Sequence, residues 1–148
     1  MNTAMDQVVS GAWDQLQHDA MLVREQVFIQ EQQIAAEDEW DEQDAVSLHL
    51  VIYREGQAIA TARLLNDHSV GRVAVLKAYR GQGLGQLIMQ QIIALAQQQQ
   101  RPQLHLSAQT HALDFYQQLG FLQQGEVYLE CNIPHIHMQL LLADNSPR

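Results

Sequence analysis

The stretch Ser69–Gln100, SVGRVAVLKAYRGQGLGQLIMQQIIALAQQQQ, constrains this chain more than any other. A β-branched run (Val70, Val73, Val75) passes through a tight glycine-rich turn, Arg80-Gly81-Gln82-Gly83-Leu84-Gly85, and straight into an amphipathic helix. Glycines permit backbone conformations in which amide N–H groups converge, and a helix N-terminus adds unpaired donors and a partial positive charge. Each anionic group gains roughly 0.3–1 kcal/mol from an exposed helix end and about 2 kcal/mol from a partly buried one. The order strand, glycine turn, helix therefore predicts a phosphate cradle.

The spacing narrows the ligand. Gly81, Gly83 and Gly85 read G-x-G-x-G with Gln86 next, so the G-x-G-x-x-G of a dinucleotide fold is not met, and no acidic residue follows about twenty positions on to hold a ribose. A nucleoside-triphosphate loop needs G-x-x-x-x-G-K-[ST], and that lysine is absent. The stretch resembles the acetyl-CoA motif of the GNAT (GCN5-related) N-acetyltransferases, a V-A-V strand followed by R-G-x-G-[LI]-G and a helix. The resemblance implies that Val73, Ala74 and Val75 pair with pantetheine through their backbone. It makes Arg80, Gly81, Gln82, Gly83, Leu84, Gly85 and Gln86 the pyrophosphate loop. Lys77 stands where family members commonly carry a proline, a departure that costs rigidity and leaves the cradle.

At 148 residues the chain is long enough for one domain with its own core, and residues 1–148 are read as one. No apolar run approaches the ~18 residues that span a membrane. The start, MNTAMDQVVSGAWDQ, lacks the basic-then-apolar order of a secretory signal, and the lone Cys131 leaves no internal disulfide. A cytoplasmic protein with no membrane partner is expected. Seventeen acids against eight bases give a formal charge of −9, which repels nucleic acid and suits an amine-bearing partner better.

Taken in order, Gln7–Val9 reads as a short strand, and Leu16, Ala20, Val23 and Val27 give one apolar helical face over Gln15–Gln30. Six acids crowd Glu37–Asp44 around Trp40, a density that reads as a solvated loop or short helix. Ser47–Arg54 and Gln57–Leu65 form a hairpin about Glu55-Gly56, and Asn66-Asp67-His68 turns the chain into the V-A-V strand. Leu84, Leu87, Ile88, Gln91, Ile92 and Leu95 track one face of the helix that follows, the Gln97–Gln100 run is its solvated end, and Pro102 stops it. Leu104–Ser107 is a strand, and Thr110–Leu119 is a helix capped by Gly120. Phe121–Val127 and Ile136–Leu142 are two last strands joined through Tyr128–His135, with a polar tail at Asp144–Arg148.

This β, α, β, β, β, α, β, α, β, β order is that of the GNAT acyl-CoA N-acyltransferase fold, an α+β architecture with a mixed, mostly antiparallel sheet flanked by helices. A second segment, Phe115-Tyr116-Gln117-Gln118-Leu119-Gly120-Phe121, resembles the family's F-Y-x-x-x-G-F signature. Val27-Phe28, Glu31-Gln32, Asp41, Asp44, His49, Ile133-Pro134-His135 and Met138 resemble the ElaA/YjcF-type branch. The resemblance implies acetyl transfer from acetyl-CoA to an amine, and it places a tyrosine general acid at Tyr116. A phenol of pKa about 10 stays protonated at neutral pH and can hand its proton to a thiolate.

An alkylammonium near pKa 10 must lose a proton before it attacks. Glu31, His49 and His135 are the candidates for that base, and water serves as an alternative. Each has an ordinary reading as well: a polar helix end, a strand residue alternating with Leu48 and Leu50, and a turn residue after proline. The acidic run is read first as solvated surface. In a sharper form it rims the acceptor entrance and attracts a cationic amine, with Trp40 as an apolar wall. Cys131, His135 and His137 share strand parity, but Pro134 breaks the strand and a fourth ligand is missing, so no metal is expected. The alternative from another class is a GNAT-like module that binds acyl-CoA or a protein without catalysing. A small-molecule amine is the expected acceptor. Acyl length is open, as is a homodimer, an assembly common in the resembling family.

Overall fold

A computed structural model describes residues 6–142; the polar tail expected at Asp144–Arg148 lies outside them. The chain runs β1 (Asp6–Gly11), α1 (Trp13–Arg24), a π-helical turn (Glu25–Glu31), the short α2 (Ala36–Glu39), a 3-10 turn (Glu42–Val46), β2 (Leu48–Arg54), β3 (Gln57–Leu64) and β4 (Ser69–Val75). It continues through a 3-10 turn (Lys77–Tyr79), α3 (Leu84–Gln98), β5 (Gln103–Gln109), a 3-10 turn (Thr110–Ala112), α4 (Leu113–Gln118), β6 (Leu122–Glu130) and β7 (Ile133–Leu141). The mixed α+β architecture expected from the sequence is what forms. Seven strands make one sheet in the order β1-β2-β3-β4-β5-β7-β6, in which β4–β5 is the parallel pair and the other pairs are antiparallel.

Alternation along β2 divides the core between the two sheet faces. Val51 packs with Leu16 and Ala20 of α1, while Leu50 and Ile52 join the larger cluster containing Ile88, Met89 and Ile92 of α3. The buried residues of α3 are Leu84, Ile88, Met89, Ile92 and Ala96. Leu87 and Leu95 are half-buried and Gln91 is exposed, so the apolar face is turned slightly from the one the sequence suggests.

Other local departures have physical causes. The first helix changes to π bonding after Arg24, with Gln32 N–H donating to Val27 O at 3.1 Å, and this wider turn carries Phe28 and Glu31 to the cleft described below. The β6–β7 connection is much shorter than Tyr128–His135. Cys131 and Asn132, at φ +51° and +63°, form a two-residue turn of the kind that matches strand twist. Pro134 does not break the strand; it sits inside β7 opposite Leu129, one residue before pairing with β5 begins at His135.

Candidate active site

β4 and β5 pair only at Ser69↔His105 and Val70↔Leu106. Beyond that point they have no ladder contact, which leaves the β5-facing edge of Gly71–Val75 without a strand partner. On its other side β4 bulges: Thr61 pairs with Ala74 and Arg63 with Gly71, so Ala62 alone faces both Arg72 and Val73. Arg72 takes φ +54° there, a left-handed conformation unusual for a side chain of its size. Between the diverging strands lies a cleft of ≈ 1070 Å³, lined in part by Val73, Ala74, Val75, Arg80, Gly85, Phe115 and Tyr116. Glu31, Arg72, Ser107, Cys131, His135 and His137 are among those lining the rest.

The glycine turn enters α3 at the edge of the cleft: Arg80 and Gly85 line it, while Gln82, Gly83 and Leu84 line a smaller pocket with Asp6 and Val8. Gly81 and Gly83 have φ +79° and +80°, where a Cβ would be strained, and Gly83 is the helix N-cap. Leu87 N–H reaches Gly83 O at 3.0 Å, whereas the N–H groups of Gly81–Gln86 have no backbone acceptor among the described residues. Gly85 has a different reason to be glycine. A Cβ there would meet Phe115 Cζ at 3.3 Å, so its absence lets α4 close against α3. Gln82 is turned outward and its Oε1 accepts from Arg54 Nη1 at 2.8 Å.

Arg80 is held at three points. Its Nη1 and Nη2 donate to the two carboxylate oxygens of Glu31, each at 2.7 Å, and its Nε donates to Val75 O at 2.9 Å. That hydrogen-bonded pair lowers the Glu31 carboxyl below its ordinary range and raises Arg80. Glu31 therefore reaches the cleft as a carboxylate already engaged by a cation, not as a free base. The pairing joins residues 49 positions apart and carries no local sequence signal.

Tyr116 is 8% exposed, packed edge-on against Phe115 (ring centroids 4.9 Å) and Phe121 (5.8 Å), and it lines the cleft. Desolvation pushes its phenol up to about 12, so it stays protonated through the neutral range. The ring is part of the core, and the residue borders the cleft.

The three base candidates separate. His135 lines the cleft, and its Nδ1 donates to Ile133 O at 2.7 Å; a carbonyl can only accept, so in the neutral ring Nε2 carries the lone pair. His49 is a correction. It is 1% exposed, packed at a tilt against Trp13 (4.6 Å), bonded through Nε2 to Asp44 O at 2.8 Å, and it does not line the cleft. Arg63, its partner across β2–β3, does line it. Burial lowers the imidazole's proton affinity, as expected for a neutral core histidine.

The acidic run is the second correction. Glu39 and Asp44 are buried, and Arg24 bridges them: Nε to Glu39 Oε2 at 2.8 Å, Nη1 to Asp44 Oδ1 at 2.7 Å, and Nη2 to Asp44 Oδ2 at 3.1 Å. Arg63 donates to both oxygens of Asp41 (2.7 and 2.9 Å) and to Asp44 (2.9 Å). Arg63 holds the Asp41 carboxyl down at about 2. Trp40 is no wall for a substrate; its ring lies 5.0 Å from the Arg24 guanidinium, which Trp13 also faces at 5.5 Å. Half of the run is thus an internal salt cluster. Sequence reasoning missed Arg24, Arg63 and Arg72, whose only signal is that so many acids near an apolar tryptophan need counter-ions. Among the described residues no three His, Cys, Asp or Glu side chains gather as a metal-holding group.

A strand pair that opens beside a glycine turn at a helix N-terminus agrees with the comparison to known families, in which the model described as "Acetyltransferase (GNAT) domain" matches residues 15–142. The chain belongs to the GNAT acetyltransferase family. It is 35% identical to the Bacillus subtilis N-acetyltransferase YjcF over 90% of this chain and 98% of that protein. It is 31% identical to Escherichia coli ElaA over 85% of this chain and 94% of that one. A crystal structure of an acyl-CoA N-acyltransferase from Pseudomonas aeruginosa superposes with a TM-score of 0.83 at 33% identity, covering 91% of this chain and 99% of that one. The ElaA/YjcF resemblance read from the sequence is therefore present along the chain, and the protein is an acetyltransferase whose acyl donor is a CoA thioester. No helix of the described residues is long and apolar enough to cross a membrane.

Proposed function

We propose that this chain, acting as one cytoplasmic catalytic domain, transfers acetyl from acetyl-CoA to the primary amine of a small molecule by direct attack. The unpartnered edge of β4 beside the open amides of Gly81–Gln86 carries the reading. That edge suits an extended pantetheine strand, and the amides suit a pyrophosphate. When bound, acetyl-CoA supplies an electrophilic carbonyl and a thiolate leaving group.

The chain's own residues then have distinct tasks. Main-chain N–H groups of Val73–Val75 polarise the carbonyl without needing a special side chain. His135 Nε2, or a water it orders, takes a proton from the incoming ammonium, with Glu31 available only after Arg80 lets go of it. As the C–N bond forms and the C–S bond breaks, Tyr116 gives its proton to sulfur, and the second proton shed by the acylated nitrogen returns to the phenolate, so the phenol is restored and the amide is neutral. The desolvation that raises the phenol also raises the proton affinity of a thiolate in the same surroundings.

An acceptor screen with wild type beside Tyr116→Phe tests this. The variant is expected to lose roughly 100-fold or more in kcat, the scale of a general acid, with the KM for acetyl-CoA little changed. Full kcat across the pH range would remove Tyr116 from the role.

A further inference from the structure

Three arginines and three carboxylates form the salt cluster, but the arginines are not equally satisfied. Arg24 uses Nε and both terminal nitrogens on Glu39 and Asp44. Arg63, 5% exposed and lining the cleft, has its Nη atoms bonded while its Nε is buried with no acceptor. Arg72 is the least satisfied. Only its Nη2 donates, to Glu39 O at 2.9 Å, Asp41 Oδ2 at 3.2 Å and Asp38 O at 3.3 Å. Its Nε lies 3.1 Å from Glu39 Oε2 yet makes no aligned hydrogen bond, and among the described residues no oxygen accepts from its Nη1.

A left-handed backbone at a bulge projects this under-bonded cation at the cleft, and strain of that kind concentrates where a side chain is aimed at a ligand. Burial disfavours the charge on Arg72; Glu39 offsets part of this, Arg63 and Arg24 add to it and Asp41 offsets a little more, and the Nη1 left without an oxygen acceptor is where an added anion would be held. Arg72 immediately precedes Val73–Val75. At about 3.3 Å per strand residue, the backbone of Arg72 lies within roughly 10 Å of all of Val73–Val75, and its side chain lines the same cleft as that edge.

We infer that the acceptor is an amine that also carries a carboxylate, held by the guanidinium of Arg72 in the cleft, so that amino-acid-like molecules are preferred over the plain cationic amines the acidic run first suggests. This rests on the amine-acetylation reading above and specifies its substrate class. Guanidinium–carboxylate contact supplies charge and a planar fork together, which lysine does not.

The test measures CoA release with matched acceptors, ornithine against putrescine and lysine against cadaverine, for wild type, Arg72→Lys and Arg72→Gln. Wild type should favour the carboxylate-bearing member about 10–100-fold in kcat/KM, the scale of a hydrogen bond to a charged group. In Arg72→Gln that ratio should fall to within about 2-fold of unity, with Arg72→Lys between the two. Equal or better turnover of the decarboxylated members by wild type, or a preference that survives in Arg72→Gln, overturns the inference and leaves acetylation standing. Should no amine react, acetylation fails instead, and a binding measurement decides the site. Glutarate at constant ionic strength should raise the Tm of the CoA-saturated wild type and not of Arg72→Gln; no shift in wild type overturns the inference.

Discussion

Two arginine–carboxylate assemblies differ in how they meet the cleft: Arg80 and Glu31 line it, whereas of Arg24, Glu39 and Asp44 only Glu39 does. At Arg24, Glu39 and Asp44 the partners are 1–4% exposed, bonded from three elements and walled by two tryptophans. At Arg80 and Glu31 the same chemistry makes an equally short pair, but the side chains are 40% and 36% exposed. The first cannot open without stranding buried charge. In the second, Glu31 can turn to water and Arg80 to water or to a phosphate at little cost. The difference teaches that bond length says nothing about whether a pair is scaffold or exchangeable; burial decides.

The comparison breaks most readily at Arg24. Arg24→Ala removes the bonds from Arg24 to buried Glu39 and Asp44, leaving them only Arg72 and Arg63 as cations, and is expected to cost roughly 3 kcal/mol, read by urea unfolding. A loss under about 1 kcal/mol would mean that the cluster is not scaffold.

Arg80→Ala is expected to change stability by less than about 1 kcal/mol, while the KM for acetyl-CoA rises roughly 10-fold as a phosphate loses a charged donor. Glu31→Gln should act with the opposite sign, lowering that KM severalfold, because Arg80 no longer has an internal anion to leave. Steady-state kinetics at low salt measure both.

Acid titration sharpens the contrast further. Asp41 titrates at about 2 in the folded chain and near 3.8 unfolded, a depressed carboxyl. Its contribution is complete above about pH 4 and is lost as the pH falls toward 2. Burial raises Glu39, so its contribution has the reverse sign and weakens as pH rises. Chemical denaturation from pH 5 to pH 2 should show a decline that Asp41→Asn reduces more than Glu31→Gln does, because the Glu31 pair is the more exposed.

How far this was legible in the sequence depends on the range of each interaction. The path from the Val73–Val75 strand through Gly81 and Gly83 to α3 is local, and periodicity with glycine spacing finds it before any fold is known. Tyr116 is legible because its motif is contiguous. Gly85 is legible as a position but not in its reason, since only the fold brings Phe115 against it. The acidic run misleads because charge density reads as solvation; its counter-ions arrive from α1, β3 and β4, 15 to 33 residues away. His49 misleads for the same reason, as strand alternation cannot tell a cleft face from a face closed by Trp13. The β6–β7 turn is hidden because Cys131 and Asn132 replace the glycine that usually marks a left-handed pair.

The most direct measurement is amide hydrogen exchange with and without acetyl-CoA. The account predicts added protection at Val73–Val75 and Gly81–Gln86, with exchange in β1 and β2 unchanged. Protection confined to the β6–β7 hairpin, with none along β4 or the glycine turn, would contradict it.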